Sequence, residues 1–305
     1  LKIENNSTFV MIDDKYIKDG DYILTSEQLT ILTLASMNLS CKGTCTISIT
    51  WIMDMLNYSR NNNRKVNDIK LILQQLIDDN VIELYKNVLN DYKENKINNI
   101  ESIDRNDFLY CYIPDVVDYT IIYDLEILEL LKIANTYKLD TYSLINFVLY
   151  IYSFINNSET DEDYKLCYPS FNNISDTIGI GESTIVKYTD ILQANEILYC
   201  DYAGYKETTK GQIKNSKMFY SRYMDIELLT NRVNRYREQN GFIKLNKLSK
   251  NKSNIKRSLK QMINTLENKI NENTITNLEQ ERLKLLQEEY NKLEKQDKEN
   301  KSQSE

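Results

Sequence analysis

Three groups of side chains have the types and spacing to grip a polyanion. Ser183, Thr184 and Lys187 follow directly on the tight stretch Gly179-Ile180-Gly181. Lys206, Lys210, Lys214 and Lys217 recur every three or four residues against a single acid, Glu207, a local net of +3 between Ala203 and Lys217. Arg60, Arg64, Lys65, Asn67 and Lys70 crowd a third place earlier in the chain. Hydroxyls at a helix start suit phosphate oxygens, because unpaired backbone N–H groups point the same way there. Lysine ammonium groups neutralise phosphates, while arginine and asparagine match the edges of guanine and adenine. Four phosphates neutralised by the lysine group would give a salt slope of about −3.6 on logarithmic axes. The competing reading is a solvated helix face or hairpin, which also favours these residue types.

Other chemistries lack their apparatus. The chain has no histidine, which removes imidazole acid–base catalysis, histidine metal ligation and the paired-histidine site of rolling-circle nickases. The glycine-rich piece Gly179-Ile180-Gly181-Glu182-Ser183-Thr184 lacks the lysine and the spacing of a phosphate-cradling Walker loop. Five cysteines, Cys41, Cys45, Cys111, Cys167 and Cys200, include one close pair and no second pair to complete a zinc site. They read as reduced, mostly buried thiols, hence a reducing cytoplasm. The 23 tyrosines fall where amphipathic packing explains them, and no Arg/His/Lys constellation surrounds any to make a nucleophile. The expectation is a protein that is not an enzyme, with no cofactor and no metal.

Low glycine and proline, 7 and 2 in 305 residues, favour helices joined by polar turns. The densest apolar stretch, from Leu144 to Phe154, is too short to span a membrane, which needs about 20 apolar residues, and no signal pattern opens the chain. The net charge of −7 hides an asymmetry. Residues 1–160 carry 14 basic and 23 acidic groups, −9; residues 161–240 carry 10 and 12, −2; residues 241–305 carry 14 and 10, +4. Fields act over a Debye length of about 8 Å at physiological salt, so local patches decide what the surface attracts.

The elements that must position these residues occur twice. Ser170 to Gly179 reads as a short helix, Glu182 to Ala194 as a second with Ile185, Thr189 and Leu192 inward, and Ile197 to Cys200 as a strand. A polar stretch from Ala203 to Ser216 leads to a return strand, Lys217 to Tyr223. Earlier, Ile49 to Asn57, Val66 to Asn80, Val81 to Tyr85 and Phe108 to Ile113 repeat that order. Ile69 matches Ile185, Leu76 matches Leu192 and Ile82 matches Leu198 at an offset of 116, while Ile52 matches Ile174 at 122, so the first turn is six residues longer. A further helix precedes each set, Ser26 to Asn38 and Leu139 to Asn156. Helix, turn, helix, strand, loop, strand is the order of a winged helix-turn-helix. The expected fold is therefore mainly α with small β-wings: a first such domain over 20–115, a linker helix over 116–138, a second domain over 139–240, and a basic linker with a helical extension over 241–305.

The stretch SFNNISDTIGIGESTIVKYTDILQANEILY resembles winged-helix domains of bacterial DNA-binding proteins. Two such modules with a helical tail look like plasmid and phage replication initiators of low-GC Gram-positive bacteria, including replisome organisers related to the DnaD family. The Asn-, Ile-, Lys- and Tyr-rich composition fits an AT-rich host. The resemblance implies sequence-specific binding of double-stranded DNA at origin repeats, self-association and recruitment of host replication proteins. Its reading helix maps onto Ser183, Thr184 and Lys187, and its wing onto Lys206 through Lys217. A transcriptional regulator and a partition or conjugation adaptor are the rival readings. The first module's wing, Lys86 to Asp107, has four basic and five acidic groups, so that module either binds DNA through its turn or dimerises. Seven bases with no acid from Lys244 to Lys260 form a DNA clamp or an exposed linker. The heptad-like stripes Ile255–Leu266 and Leu283–Leu293 form a helical hairpin, bent near Asn271-Glu272-Asn273, or an oligomerising coiled coil.

Overall fold

A computed structural model describes residues 8–18, 22–37, 44–86, 95–114, 116–155, 165–207, 213–243, 259–260, 262–264, 266–270, 280, 283–288 and 290–294. Thr25 opens the first helix, α1 (Ser26–Ser36), through a capping box: its hydroxyl accepts from the Gln28 amide and the Gln28 side chain accepts from the Thr25 amide. From Gln28 to Ser36 every residue of α1 is buried, so this helix has no solvent face. The buried hydroxyls of Thr33 and Ser36 donate to the carbonyls of Leu29 and Leu32 one turn back. A second sealed helix, α5 (Thr141–Tyr152), is buried from Leu144 onward and packs against α1. Asn146, the polar residue that interrupts the apolar run, donates to Ser26 at 2.8 Å and so joins the two.

Around α1 are β2 (Thr44–Ile47), α2 (Ile49–Met55), α3 (Asn63–Asp78), β3 (Glu83–Tyr85), β4 (Lys96–Ile97) and β5 (Leu109–Tyr112), the strands forming an antiparallel sheet ordered β2-β5-β3-β4. Around α5 are α6 (Phe171–Ile178), α7 (Glu182–Ala194), β7 (Leu198–Tyr202), β8 (Tyr205–Glu207), β9 (Ile213–Asn215) and β10 (Met218–Arg222), followed by α8 (Ile226–Asn240). Cys167 replaces a whole strand: it exchanges both backbone hydrogen bonds with Tyr220, at 3.0 and 2.8 Å. β10 therefore lies between Cys167 and β7, as β5 lies between β2 and β3.

The correspondence reaches individual hydrogen bonds. Ser48 caps α2 and Ser170 caps α6, and each hydroxyl accepts from the amide three residues on. α2 is followed by Asn57 at φ +55° and α6 by Gly179 at +77°. α3 and α7 end alike: the Val81 amide donates to Leu76 and the Asn80 amide to Ile77, and Ile197 donates to Leu192 and Glu196 to Gln193. These are the paired bonds of a Schellman motif, with Asn80 (φ +54°) and Glu196 (φ +61°) left-handed. All eight residues aligned in the sequence, Ile52, Ile69, Leu76, Ile82, Ile174, Ile185, Leu192 and Leu198, are buried.

Two features depart from the sequence reading. Residues 116–138 are not helix throughout: β6 (Tyr119–Tyr123) precedes α4 (Asp124–Tyr137), and β6 pairs with β1 (Phe9–Asp13). Alternating burial explains the strand, with Thr120 and Ile122 turned inward opposite Ile12 and Val10. The stretch from Ala203 to Ser216, read as a polar loop, contains the ribbon β8–β9.

α4 is fastened to the second repeat by a buried ion pair. The Arg222 guanidinium meets the Glu126 carboxylate at 2.8 Å with both side chains 3% exposed. The Tyr152 hydroxyl donates to Glu126 at 2.8 Å, Arg222 also donates to the Ile121 carbonyl, and the guanidinium lies 3.8 Å from the Tyr152 ring centre. Burial, then the Glu126 charge, pushes the Tyr152 phenol well up, so it stays a neutral donor.

The protein is thus mainly helical with small antiparallel sheets. The chain divides into two compact units, Leu1–Phe242 and Ile243–Glu305. In the first, one hydrophobic core runs from Val10 to Tyr220 and includes α1, α3, α5 and α7. In the second, Leu259, Ile263 and Leu266 share a core with Leu283 and Leu286, and Gln287 donates to Glu267 at 3.2 Å. Those stripe residues bury against each other within one chain. The expected bend at Asn271-Glu272-Asn273 and the basic run from Lys244 to Arg257 lie outside the described residues.

Candidate nucleic-acid interface

The second repeat presents α7 with one face bare. Gly179 supplies the positive φ that ends α6, and Gly181 precedes α7 with no side chain to cap its first amides. Ile185, Tyr188, Thr189 and Leu192 are buried against the core. On the opposite side Ser183, Val186 and Lys187 are exposed, Thr184 is half-buried at the flank, and Asp190 is half-buried one turn beyond Lys187. Burial pushes the Asp190 carboxyl up from its ordinary value. Hence α7 offers a hydroxyl, an apolar patch and an ammonium along one stripe.

Beside it, β7 and β10 continue through Gly204 (φ +113°) into the ribbon β8–β9, with the Ser216 amide donating to the Gly204 carbonyl at 2.8 Å. In that ribbon Lys206 and Lys214 are direct cross-strand partners. Like charges placed so are destabilising. The Lys206 ammonium relieves the repulsion by leaning onto α8, where it donates to the Asn240 carbonyl at 3.1 Å and lies 4.8 Å from the Phe242 ring centre. Lys214 is exposed. Lys217 is exposed as well, its ammonium 3.7 Å from the Tyr168 ring centre. Lys210 lies outside the described residues.

No protein-family model matches the chain, and no curated protein is similar enough to match it.

In the first repeat the corresponding side chains are largely engaged. Arg60 is paired with Asp54, its Nε donating to the carboxylate at 2.8 Å, and the guanidinium holds that carboxyl below its ordinary value. Lys65 lies 3.3 Å from Asp68 and 5.0 Å from the Tyr58 ring centre. Lys70 donates to the carbonyls of Glu101 and Ile103 at 2.9 and 2.6 Å. Gln74 donates to the Asn98 carbonyl at 3.0 Å and accepts from the Ile100 amide at 3.0 Å, while Thr50 donates to the Arg105 carbonyl at 3.0 Å. Residues 98–107 are therefore a strap laid along the Lys70–Gln74 flank of α3 and over the start of α2. Ile100 and Ile103 anchor the strap in the core at 1% and 2% exposure. Arg64 and Asn67 stay exposed on α3, next to exposed Leu71 and half-buried Asp68.

Sequence reasoning missed the strap because its bonds run to backbone carbonyls, which no residue type advertises. It also missed the Lys206–Lys214 confrontation, which depends on the register across the loop. Among the described residues no cluster of His, Cys, Asp or Glu gathers to hold a metal ion, and no helix is long and apolar enough to cross a membrane.

Proposed function

We propose that the two repeats are winged helix-turn-helix modules and that the second reads double-stranded DNA sequence-specifically, with α7 in the major groove and the β8–β9 ribbon along the phosphates. The observation that carries this reading is the bare Ser183–Val186–Lys187 stripe on α7, next to a ribbon that sets Lys206 against Lys214. The exposed Lys214 and Lys217 ammonium groups supply the positive charge that a phosphate backbone lying along the ribbon requires. The role we assign is initiation of replication on a plasmid or phage: binding of origin repeats, self-association as a dimer and engagement of host replication proteins in the cytoplasm, with no catalytic chemistry of the chain's own.

The strapped flank of α3 and the −9 charge of residues 1–160 favour a second assignment for the first repeat, as the body that holds a protein partner or a second copy. A gel-shift titration with DNA flanking the native gene tests the whole reading. Wild type binds; Lys187→Ala and the triple variant Lys206→Ala/Lys210→Ala/Lys214→Ala each bind at least about tenfold more weakly, in line with ~1–3 kcal/mol for a base contact. Unchanged affinity in both variants removes the assignment.

A further inference from the structure

Cys45 and Cys111 are far apart in the chain but are direct partners across the β2–β5 ladder. Both are free thiols, 1% and 0% exposed, and as register partners their side chains turn to the same buried face of the sheet. Directly opposed residues in an antiparallel pair have Cα atoms about 4.5–5.5 Å apart, inside the window of about 4.4–6.8 Å that a disulfide spans. The second repeat supplies an internal contrast. Cys167 holds the position of Cys45 at the same offset of 122 that relates Ser48 to Ser170, but it faces Tyr220. The Cys167 thiol is directed at the Ile151 carbonyl and the Cys200 thiol at Gln193. Opposed thiols are a property of the first repeat alone among the described residues.

From this geometry we propose that Cys45 and Cys111 form a redox modification site, closing to an intramolecular disulfide when the protein meets a low-molecular-weight disulfide such as oxidised glutathione. The inference is independent of the DNA-binding reading. β2 is the edge strand and β5 is interior to the sheet, so local opening exposes Cys45 first. The Cys45 thiolate attacks the S–S bond of the reagent, forming a mixed disulfide and releasing one reagent thiolate. The Cys111 thiolate then attacks the Cys45 sulfur, and the Cys45–Cys111 bond forms as the second reagent thiol leaves. Two protein thiols are oxidised, one reagent disulfide is reduced to two thiols, and the protons lost by the cysteines pass to the released thiolates. The neighbouring Cys45 side chain, then burial, pushes the Cys111 thiol well up, so closure is slow and quickens with rising pH. The bond encloses α2, α3, β3 and β4 in one covalent loop and fixes the edge strand that leads into α2.

The test uses the full chain, incubated for a day near pH 8.5 with oxidised glutathione in excess, then alkylated and digested with trypsin. Lys42 and Arg60 bound the Cys45 peptide, 43–60, while Arg105 and Lys132 bound the Cys111 peptide, 106–132, so neither contains another cysteine. The expected result is a loss of two hydrogens from the intact mass, recovery of 43–60 joined to 106–132, and a Tm raised by about 5–10 °C. Cys111→Ser is expected to stop at a glutathione adduct on Cys45, and Cys45→Ser to leave Cys111 unmodified. Persistent free thiols at 45 and 111, a bond from either to Cys41, Cys167 or Cys200, or a lowered Tm on closure would each overturn the proposal.

Discussion

Lys187 and Lys214 extend into solvent, whereas Lys70, Lys206 and Lys217 each already touch a carbonyl or an aromatic ring. The distinction predicts different losses on truncation. On the DNA-binding reading proposed above, Lys214→Ala should flatten the slope of log K against log salt by about 0.9, the share of one phosphate contact, whereas Lys187→Ala should cost about 1–3 kcal/mol and relax the sequence preference at the base it reads. Lys70→Ala should leave DNA affinity unchanged and cost about 1 kcal/mol of stability in urea unfolding, because its hydrogen bonds hold the strap. If Lys70→Ala weakens DNA binding as much as Lys187→Ala does, α3 reads DNA after all. Asp190 gives a pH-dependent case. Burial raises its pKa in the folded protein above 3.8, so the folded state holds its proton longer than the unfolded chain. Its contribution is thus most favourable at low pH and is lost as pH rises from about 4 through the folded value. Asp190→Asn should therefore stabilise the protein at pH 7 by up to about 1 kcal/mol and have no effect near pH 3; equal effects at both pH values would refute the burial account. The identity of the basic residues was legible in the sequence, but their availability was not. Lys70 is bound by carbonyls 31 and 33 residues further on, in a segment without periodicity.

Helices were the legible elements because their periodic faces report burial directly. α7 occupies Glu182–Ala194, the span its Ile185, Thr189 and Leu192 spacing predicts. Short strands were harder to place. β1 depends on β6 for its hydrogen bonds, and β8 and β9 are three residues each in a polar stretch, so pairing decides them more than local pattern does. The ends of α3 and α7 predict a stabilising change that no packing argument supplies. Glu196 holds a left-handed conformation at φ +61° where glycine is unstrained. Glu196→Gly should add about 0.5–1 kcal/mol by chemical denaturation, and a loss instead would mean its side-chain contact outweighs the strain. The Arg222–Glu126 pair predicts the opposite sign. Arg222→Met leaves the Glu126 carboxylate buried without its partner and should cost about 3–5 kcal/mol. A cost below about 1 kcal/mol would show that α4 is held by apolar packing alone.

At the scale of the molecule, α1 and α5 abolish the independence that a repeat in sequence suggests. Both are sealed, each belongs to a different repeat, and they pack together in one core. Phe147, at 0% exposure in α5, should therefore matter equally to both halves. Phe147→Ala should cost about 3–5 kcal/mol, and amide exchange in α3 and α7 should accelerate to the same degree; loss of protection in α7 alone would mean the halves melt separately. Repetition was readable from aligned apolar positions, whereas fusion was not, because a helix apolar on every side gives no direction to its neighbour. The β1–β6 ribbon bears on how the chain is made. Phe9–Asp13 leaves the ribosome long before Tyr119–Tyr123, and at about 5–20 residues per second the wait is on the order of ten seconds. During that interval a strand carrying Phe9, Val10, Met11 and Ile12 has no mate. Biosynthesis therefore passes through a stage in which the nascent polypeptide needs shielding from its neighbours on the same message.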